Sequence, residues 1–172
     1  AMRDEQGNWS DLRKLEWSDP RATAIYTSGC SQRVTLADGD LVIPLSFGPV
    51  GRTDRAVGSA ICSFDGKELK IRRVTAAELR LPVGRGLLEP SLTQWKGRFY
   101  MTIRAEDGCG YASVSDDGLE WARPEPWSWD DGTRLSMSTT QQHWVTHSDG
   151  LFLAYTRQSQ ENAKVFRWRA PI

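Results

Sequence analysis

Glu89-Pro-Ser-Leu-Thr-Gln-Trp-Lys-Gly-Arg-Phe-Tyr-Met-Thr-Ile-Arg104 is the stretch that decides the predicted fold of this 172-residue chain. Two runs of mixed apolar and polar residues flank Lys96-Gly97, and a two-residue turn that ends in glycine suits right-twisted antiparallel strands. The stretch therefore predicts a β-hairpin. Because side chains alternate along a strand, facing residues of one set lie on one side of the ribbon. These predicted pairs are Trp95 with Arg98, Thr93 with Tyr100, Ser91 with Thr102, and Glu89 with Arg104.

The same hairpin pattern occurs twice more in the chain. Its turns are predicted at Asp38-Gly39 and at Asp149-Gly150. The glycines of the three turns are 58 and 53 residues apart, which indicates an internal repeat. The positions equivalent to Glu89 and Arg104 are occupied by Ser31 and Ser46 in the first hairpin, and by Gln142 and Arg157 in the last.

A second pattern repeats at a spacing of 52 residues. Residues 58–69 and 110–121 align without gaps as Gly-x-Ala-x-x-Ser-x-Asp-Gly-x-Glu-apolar. Aspartate caps tight turns through its side chain, and glycine supplies the backbone angles that such turns need. Each stretch therefore predicts a further hairpin, with its turn at 64–66 or at 116–118. The apolar residue at the end, Leu69 or Trp121, is expected to fold back onto the sheet and fix the turn.

Two hairpins in each unit of about 52 residues predict one four-stranded antiparallel sheet per repeat. Such sheets are the blades of a β-propeller, so the predicted fold class is an all-β propeller with about three blades present. The blade-like units are predicted at about 30–73, 89–124 and 139–172, and residues 1–29 are interpreted as the tail of a preceding blade. Because propellers have at least four blades, the chain is expected to be part of a longer propeller. Pro44 cannot donate to a sheet ladder, so a bulge or break is expected there.

Composition argues against several classes of function. Lys plus Arg and Asp plus Glu number 22 each, so no electrostatic footprint for nucleic acid or an anionic membrane is expected. The sequence has no apolar run long enough for a transmembrane helix. Cys30, Cys62 and Cys109 show neither metal-ligand nor disulfide spacing. His143 and His147 would lie about 13 Å apart along a strand, so neither a metal site nor a cofactor is predicted.

The stretch from Val114 to Trp121 resembles the Asp-box, also called the bacterial-neuraminidase repeat. That motif reads Ser-x-Asp-x-Gly-x-x-Trp, and it is matched here by Asp116, Gly118 and Trp121, whereas Val114 stands where the serine belongs. With the 89–104 hairpin about ten residues before it, this turn looks like the corresponding blade of bacterial sialidases. The resemblance covers roughly 30–170. It implies a six-bladed propeller glycosidase, and a periplasmic or secreted location.

The resemblance also implies roles for particular residues. In sialidases three arginines grip the substrate carboxylate, a glutamate activates a tyrosine nucleophile, and an aspartate serves as acid and base. The match maps Glu89 onto the activating glutamate and Arg104 onto one of the arginines, and makes both candidate catalytic residues. Arg157 is the candidate for a second arginine. By repeat position, the further substrate-binding candidates at the same mouth of the channel are Gln142, Ser31 and Ser46. The tyrosine nucleophile and the acid/base aspartate are expected outside this stretch, and Tyr155 is interpreted as packing against Trp144.

Three alternatives stay open at this point. The pair of Glu89 and Arg104 can be a cross-strand ion pair that only satisfies two charges. Asp-box propellers also occur without sialidase activity, so the chain can belong to a non-catalytic propeller that binds glycans or proteins. A propeller glycosidase with paired carboxylates is the third. The partner predicted by the main hypothesis is an acidic sugar, because a guanidinium fork matches a planar carboxylate.

Overall fold

The computed structural model describes residues 1–21, 24–25, 31–48, 50, 54–75 and 78–160. In these ranges the regular elements are all β-strands, as the sequence predicts. The strands are β1 (Ala24–Ile25), β2 (Val34–Thr35), β3 (Leu41–Gly48), β4 (Ala56–Phe64), β5 (Leu69–Val74), β6 (Leu88–Trp95), β7 (Arg98–Arg104), β8 (Gly110–Ser115), β9 (Glu125–Pro126), β10 (His143–His147) and β11 (Gly150–Ala154). Among the described residues, no helix has the length and apolar character to cross a membrane.

The strands form three separate antiparallel sheets. In the first sheet β3, β4 and β5 follow one another, and both β1 and β2 pair with β3. The second sheet has the order β6-β7-β8-β9, which is the predicted pair of hairpins. The third consists, within the described ranges, of the hairpin β10-β11. Residues 163–170, for which the sequence predicts a third strand of the last unit, lie outside the described residues.

The central hairpin forms as predicted. Trp95 pairs with Arg98, Thr93 with Tyr100, and Ser91 with Thr102. Lys96 and Gly97 have φ angles of 48° and 82°, which is the pair of positive φ values that a type I′ turn requires. The turn chemistry of this one dipeptide therefore fixes the register from Ser91 opposite Thr102 to Trp95 opposite Arg98.

The register changes at the open end of this hairpin. The Cα partner of Arg104 is Leu88 rather than the predicted Glu89, because the ladder is irregular between Leu88 and Ser91. Glu89 has a φ of 44°, an uncommon value for a residue with a side chain. The side chains of Glu89 and Arg104 meet nevertheless, as an ion pair of 2.7 Å. The predicted contact is therefore confirmed, although the backbone reaches it through a bulge.

The first hairpin is shorter than predicted, and its proline lies in an unbroken strand. Val34 pairs with Val42, and the turn is closed by a hydrogen bond from the Leu36 N–H to the Asp40 carbonyl. The expected break at Pro44 is wrong, because β3 runs through it and Pro44 pairs with Ser59 of β4. Within the described part, β2 pairs with 41–42 and β1 with 47–48. Among the described residues, the break in strand pairing therefore lies between β1 and β2, which both pair with β3, and not in β3 itself. A proline is tolerated where the neighbouring strand does not pair.

The third hairpin turns one residue earlier than predicted. His147 pairs with Gly150, so the turn is Ser148-Asp149 and not Asp149-Gly150. Trp144 consequently pairs with Leu153, and the expectation that it faces Tyr155 is wrong. A local contact accompanies the shift, since the Asp149 N–H donates to Nδ1 of His147 at 3.2 Å.

The two Asp-Gly turns of the second repeat have the same hydrogen bonds. Oδ1 of Asp65 accepts from the N–H groups of residues 67 and 68, at 2.9 and 2.8 Å. Oδ1 of Asp117 accepts from the N–H groups of residues 119 and 120, both at 2.8 Å. The structure therefore confirms that these turns are equivalent. The capping aspartate is Asp117, one residue after the Asp116 to which the Asp-box resemblance points.

The turn after β8 is docked onto the first sheet. The Trp121 indole donates to Oγ of Ser59 at 2.9 Å, and the Ser59 hydroxyl donates to the Gly118 carbonyl. The Thr75 hydroxyl donates to the Leu119 carbonyl at 2.7 Å. Apolar residues of the two sheets also pack together in one core cluster: Val42, Val57 and Ile61 of the first sheet, with Leu92, Phe99, Met101 and Ile103 of the second. Trp121 folds back as predicted, but onto the neighbouring sheet.

Gln32 joins all three sheets. Its carbonyl accepts from the Leu92 N–H at 3.0 Å, and its side-chain oxygen accepts from the Ser91 hydroxyl at 3.1 Å. The same oxygen accepts from the Trp144 N–H at 2.5 Å, while the side-chain N–H donates to the Trp144 carbonyl at 2.9 Å. The residues before β2 therefore link the first strands of the second and third sheets.

Candidate functional site

Arg104 ends β7 and is the buried cation of the candidate site. It is 8 % exposed. Its Nη1 donates to Oε1 of Glu89 at 2.7 Å, and its Nε donates to Oγ1 of Thr139 at 3.1 Å. Burial of a charged group is costly unless the charge is paired and its donors find acceptors. These two contacts satisfy two of the five guanidinium N–H groups.

Glu89 supplies the carboxylate of the pair, and one of its oxygens has no hydrogen-bond partner. Oε1 accepts from Arg104, whereas Oε2 is buried and forms no hydrogen bond with the described residues. Buried polar atoms are nearly always satisfied in folded proteins, so an exception calls for an explanation. The same residue holds the positive φ angle. Backbone strain of this kind is concentrated at functional sites.

A second ion pair lies beside the first. Arg85 donates from Nε and Nη2 to Oε1 of Glu106 at 2.8 and 2.6 Å, and its backbone N–H donates to Oε2 at 3.0 Å. The hydrogen bonds from Arg85 hold the pKa of Glu106 below its usual value, and the charge of Arg104 acts in the same direction. Hydrogen bonding to Glu106 raises the pKa of Arg85, with a smaller contribution from the charge of Glu89. The two arginines and the two carboxylates therefore form one cluster of neighbouring positive and negative charges.

Gln142 lies against Gly110, the Cα partner of Arg104, and no hydrogen bond joins it to Arg104. Its side-chain oxygen accepts a hydrogen bond from the Thr102 hydroxyl, and the Trp127 indole donates to the same hydroxyl at 3.0 Å. A Cβ on Gly110, the Cα partner of Arg104, would stand 2.2 Å from the Gln142 amide nitrogen. The Gln142 side chain, which is 2 % exposed, thus fills the space above Gly110.

The other predicted site residues occupy different surroundings. The buried Ser46 hydroxyl donates to the Leu87 carbonyl at 3.2 Å, two residues before Glu89. Ser31 is half-buried and precedes the junction residue Gln32. Arg157 is exposed, and its backbone bridges to Met137. The register of the third hairpin does not place Arg157 opposite Gln142, as the repeat predicts. The structure therefore gathers Glu89 and Arg104 with Thr139, with Gln142 beside them.

A groove lies elsewhere on the molecule, away from the candidate site. It has a volume of about 1210 Å³ and runs between residues 10–20 and the outer strand β5. None of the six predicted site residues lines it. Because the predicted site residues lie away from this groove, the pair of Glu89 and Arg104 at the end of β7 remains the candidate site.

Sequence reasoning missed Thr139, Arg85 and Glu106. Glu106 follows Arg104 by two residues, so an acidic side chain close to a predicted binding arginine was an available local signal. Thr139 had no such signal, because its contact with Arg104 spans 35 residues and depends on how two sheets pack. No group of three or more potential metal ligands occurs among the residues that the structure describes.

Comparison with known protein families and with curated proteins finds no match to this chain.

Proposed function

We propose that the chain contributes blades to a sialidase-like β-propeller, and that Arg104 and Glu89 serve an acidic sugar there. Two features support the propeller. The three repeated hairpins belong to three different sheets, and Gln32, which precedes β2 of the first sheet, joins the first strands of the second and third. A radial arrangement of four-stranded sheets whose inner strands converge is the propeller architecture. The second sheet, β6-β7-β8-β9, has the four strands of one blade.

The observation that carries the proposal is an incompletely satisfied buried ion pair. Arg104 Nη2 forms no hydrogen bond with the described residues, and Glu89 Oε2 is buried without a partner. A ligand carboxylate fits the first of these, because a guanidinium presents its donors in a fixed plane. A ligand or nucleophile O–H group fits the second. One ligand with a carboxylate and hydroxyl groups, such as a sialic acid, would therefore supply both the acceptor for Nη2 and the donor for Oε2.

In the catalytic form of this proposal, Arg104 holds the sugar carboxylate while Glu89 accepts a proton from the nucleophile. Oε1 accepts from Arg104, so Oε2 is the atom that accepts the proton. Sialidases use a tyrosine in place of one of the two carboxylates of other glycosidases. No described tyrosine contacts Glu89; the Tyr111 hydroxyl, for example, donates to Oδ2 of Asp107 at 2.5 Å. The tyrosine is therefore not assigned to a residue of this chain.

A non-catalytic propeller that binds glycans is the second candidate. A site that only binds needs no tyrosine beside the glutamate, and no described tyrosine forms a hydrogen bond with Glu89. Binding needs the arginine alone, whereas catalysis needs Glu89 as well. The two candidates therefore differ in the effect of changing the glutamate.

Hydrolysis of a chromogenic sialoside by the complete propeller to which this chain contributes blades separates these candidates. Glu89→Gln is expected to lower kcat far more than it raises KM, because the amide cannot take up a proton. Glu68→Gln is the matched control, since Glu68 forms an exposed ion pair with Lys70. Melting temperatures are measured alongside. Turnover that is unchanged in folded Glu89→Gln protein, or absent in the wild type, would contradict the catalytic role and leave the binding propeller.

A further inference from the structure

We propose that Thr139 is a positioning residue that fixes the plane of the Arg104 guanidinium for ligand binding. This inference rests on the proposed function of Arg104, and it adds a residue for which the sequence analysis predicted no role. Thr139 lies outside the hairpin that carries Glu89 and Arg104. It belongs to the segment that leads from the second sheet into the third.

Two contacts at different atoms set the orientation of the guanidinium. The Nη1 contact with Glu89 alone would leave the group able to rotate about that hydrogen bond. The Nε contact with Thr139, at 3.1 Å, adds a second fixed point and so defines the plane. A guanidinium gains specificity for a carboxylate through its planar fork, which is useful only if the plane is fixed before the ligand arrives.

Thr139 is well placed for this task because the residues around it are anchored. On one side the Ser138 N–H donates to the Thr156 carbonyl at 2.8 Å, and the Met137 N–H donates to the Gly108 carbonyl at 2.9 Å. On the other side Gln142 accepts from the Thr102 hydroxyl of β7. A polar contact that is held by rigid neighbours positions a binding group better than one on a loose loop.

The chemistry of the hydroxyl also fits the role. Thr139 accepts from Nε as a neutral group, so it orients Arg104 without neutralising its charge. A carboxylate at the same position would hold the arginine more tightly, but it would compete with the ligand for the cation. Because Glu89 already pairs with the charge of Arg104, a neutral second partner avoids adding another anion that would compete with a ligand carboxylate at the remaining guanidinium edge.

Hydrogen exchange of the Arg104 Hε proton, observed by NMR, tests the positioning directly and needs no enzyme activity. Thr139→Val keeps the shape but removes the acceptor, so exchange is expected to become at least several-fold faster. Thr139→Ser is expected to restore the slow rate. Thr140→Val is the matched control at the next position, because the Thr140 hydroxyl has no hydrogen-bond partner among the described residues. Thr139→Ala replaces the valine variant if that protein does not fold.

Titration with sialic acid then connects the positioning to binding. Thr139→Val is expected to weaken binding by about tenfold, in the range for a hydrogen bond to a charged group, while Thr139→Ser and Thr140→Val bind like the wild type. Wild-type Hε exchange or affinity in folded Thr139→Val protein would overturn the inference. Failure of the wild type to bind would instead refute the proposed function. Faster exchange in Thr139→Val would then show a positioning contact that serves no sialic acid, which also overturns the role in ligand binding.

Discussion

Glu89 combines a strained backbone with an incompletely paired side chain. A non-glycine residue in the left-handed region costs about 1–2 kcal/mol, so the bulge at Glu89 persists only because its surroundings hold it. The buried ladder from Ser91 onwards and the ion pair with Arg104 provide that restraint. The strain brings the carboxylate to the guanidinium although Leu88 occupies the ladder position opposite Arg104. Local sequence predicted the partner of Glu89, whereas the bulge depends on long-range packing.

Glu106 gives the site a measurable dependence on pH. Its pKa is lowered below 4.5 in the folded chain, chiefly by hydrogen bonds from Arg85. A carboxyl with a depressed folded pKa contributes stability that is complete above the unfolded value and is lost as pH falls through the folded one. The free energy of unfolding, measured with denaturant between about pH 6 and pH 3, should therefore fall with acidification.

Glu106→Gln isolates the share of this residue in the pH dependence. The variant is expected to be less stable than the wild type at pH 6, and to lose less stability on acidification. Glu120→Gln serves as the control, because Glu120 is exposed and forms no ion pair with the described residues. Parallel profiles of the free energy of unfolding against pH for wild type and Glu106→Gln would contradict the lowered pKa of Glu106.

The two Asp-Gly turns show which elements could be predicted from sequence. Their shared hydrogen bonds follow from side chains two and three residues from the N–H groups that they cap, so a local pattern contains all the information. The turn of the third hairpin could not be predicted in the same way. Its Asp149-Gly150 doublet predicted a turn at those two residues, but the chain turns at Ser148-Asp149. A sequence motif therefore fixed the existence of this hairpin but not its register.

Asp117→Ala tests the importance of the docked turn. The substitution removes the acceptor of two backbone N–H groups, and a loss of about 1–2 kcal/mol is expected by analogy with helix caps. Asp65→Ala removes the same cap from a solvent-exposed turn, and a smaller loss is expected there. Denaturant unfolding of both variants checks the order. An Asp65→Ala variant that is the less stable of the two would show that docking onto the first sheet adds nothing.

At the scale of the whole molecule, Gln32 carries the connection among the sheets. Each sheet is built from local hairpins, which is why the sequence predicts them well. The way the sheets meet depends on contacts between residues far apart in the chain, such as Gln32 with Trp144, which are separated by 112 residues. No repeat or turn pattern contains that information. The all-β class could therefore be predicted, while the junction and the position of Thr139 could not.

Gln32→Ala is expected to destabilise the protein by about 2–4 kcal/mol, because it leaves the Trp144 N–H and carbonyl groups without their partner. Gln94→Ala is the control, since Gln94 is exposed on β6 of the second sheet. Denaturant unfolding followed by tryptophan fluorescence and by circular dichroism measures both the loss and the coincidence of the transitions. Equal stability of the two variants would refute the role of Gln32 as the junction.

The central claim is that Arg104 binds the carboxylate of an acidic sugar. Calorimetric titration of the wild type with sialic acid and with its methyl ester tests it most directly, because the ester keeps the shape but removes the charge. We expect the wild type to bind the acid clearly more tightly than the ester. Arg104→Lys, which keeps the charge but not the planar fork, should lose about 2–4 kcal/mol of binding free energy. Arg98→Lys, at the exposed pair with Asp116 on the other end of β7, should bind like the wild type. Equal affinity for acid and ester, or unchanged binding in folded Arg104→Lys, would contradict the claim.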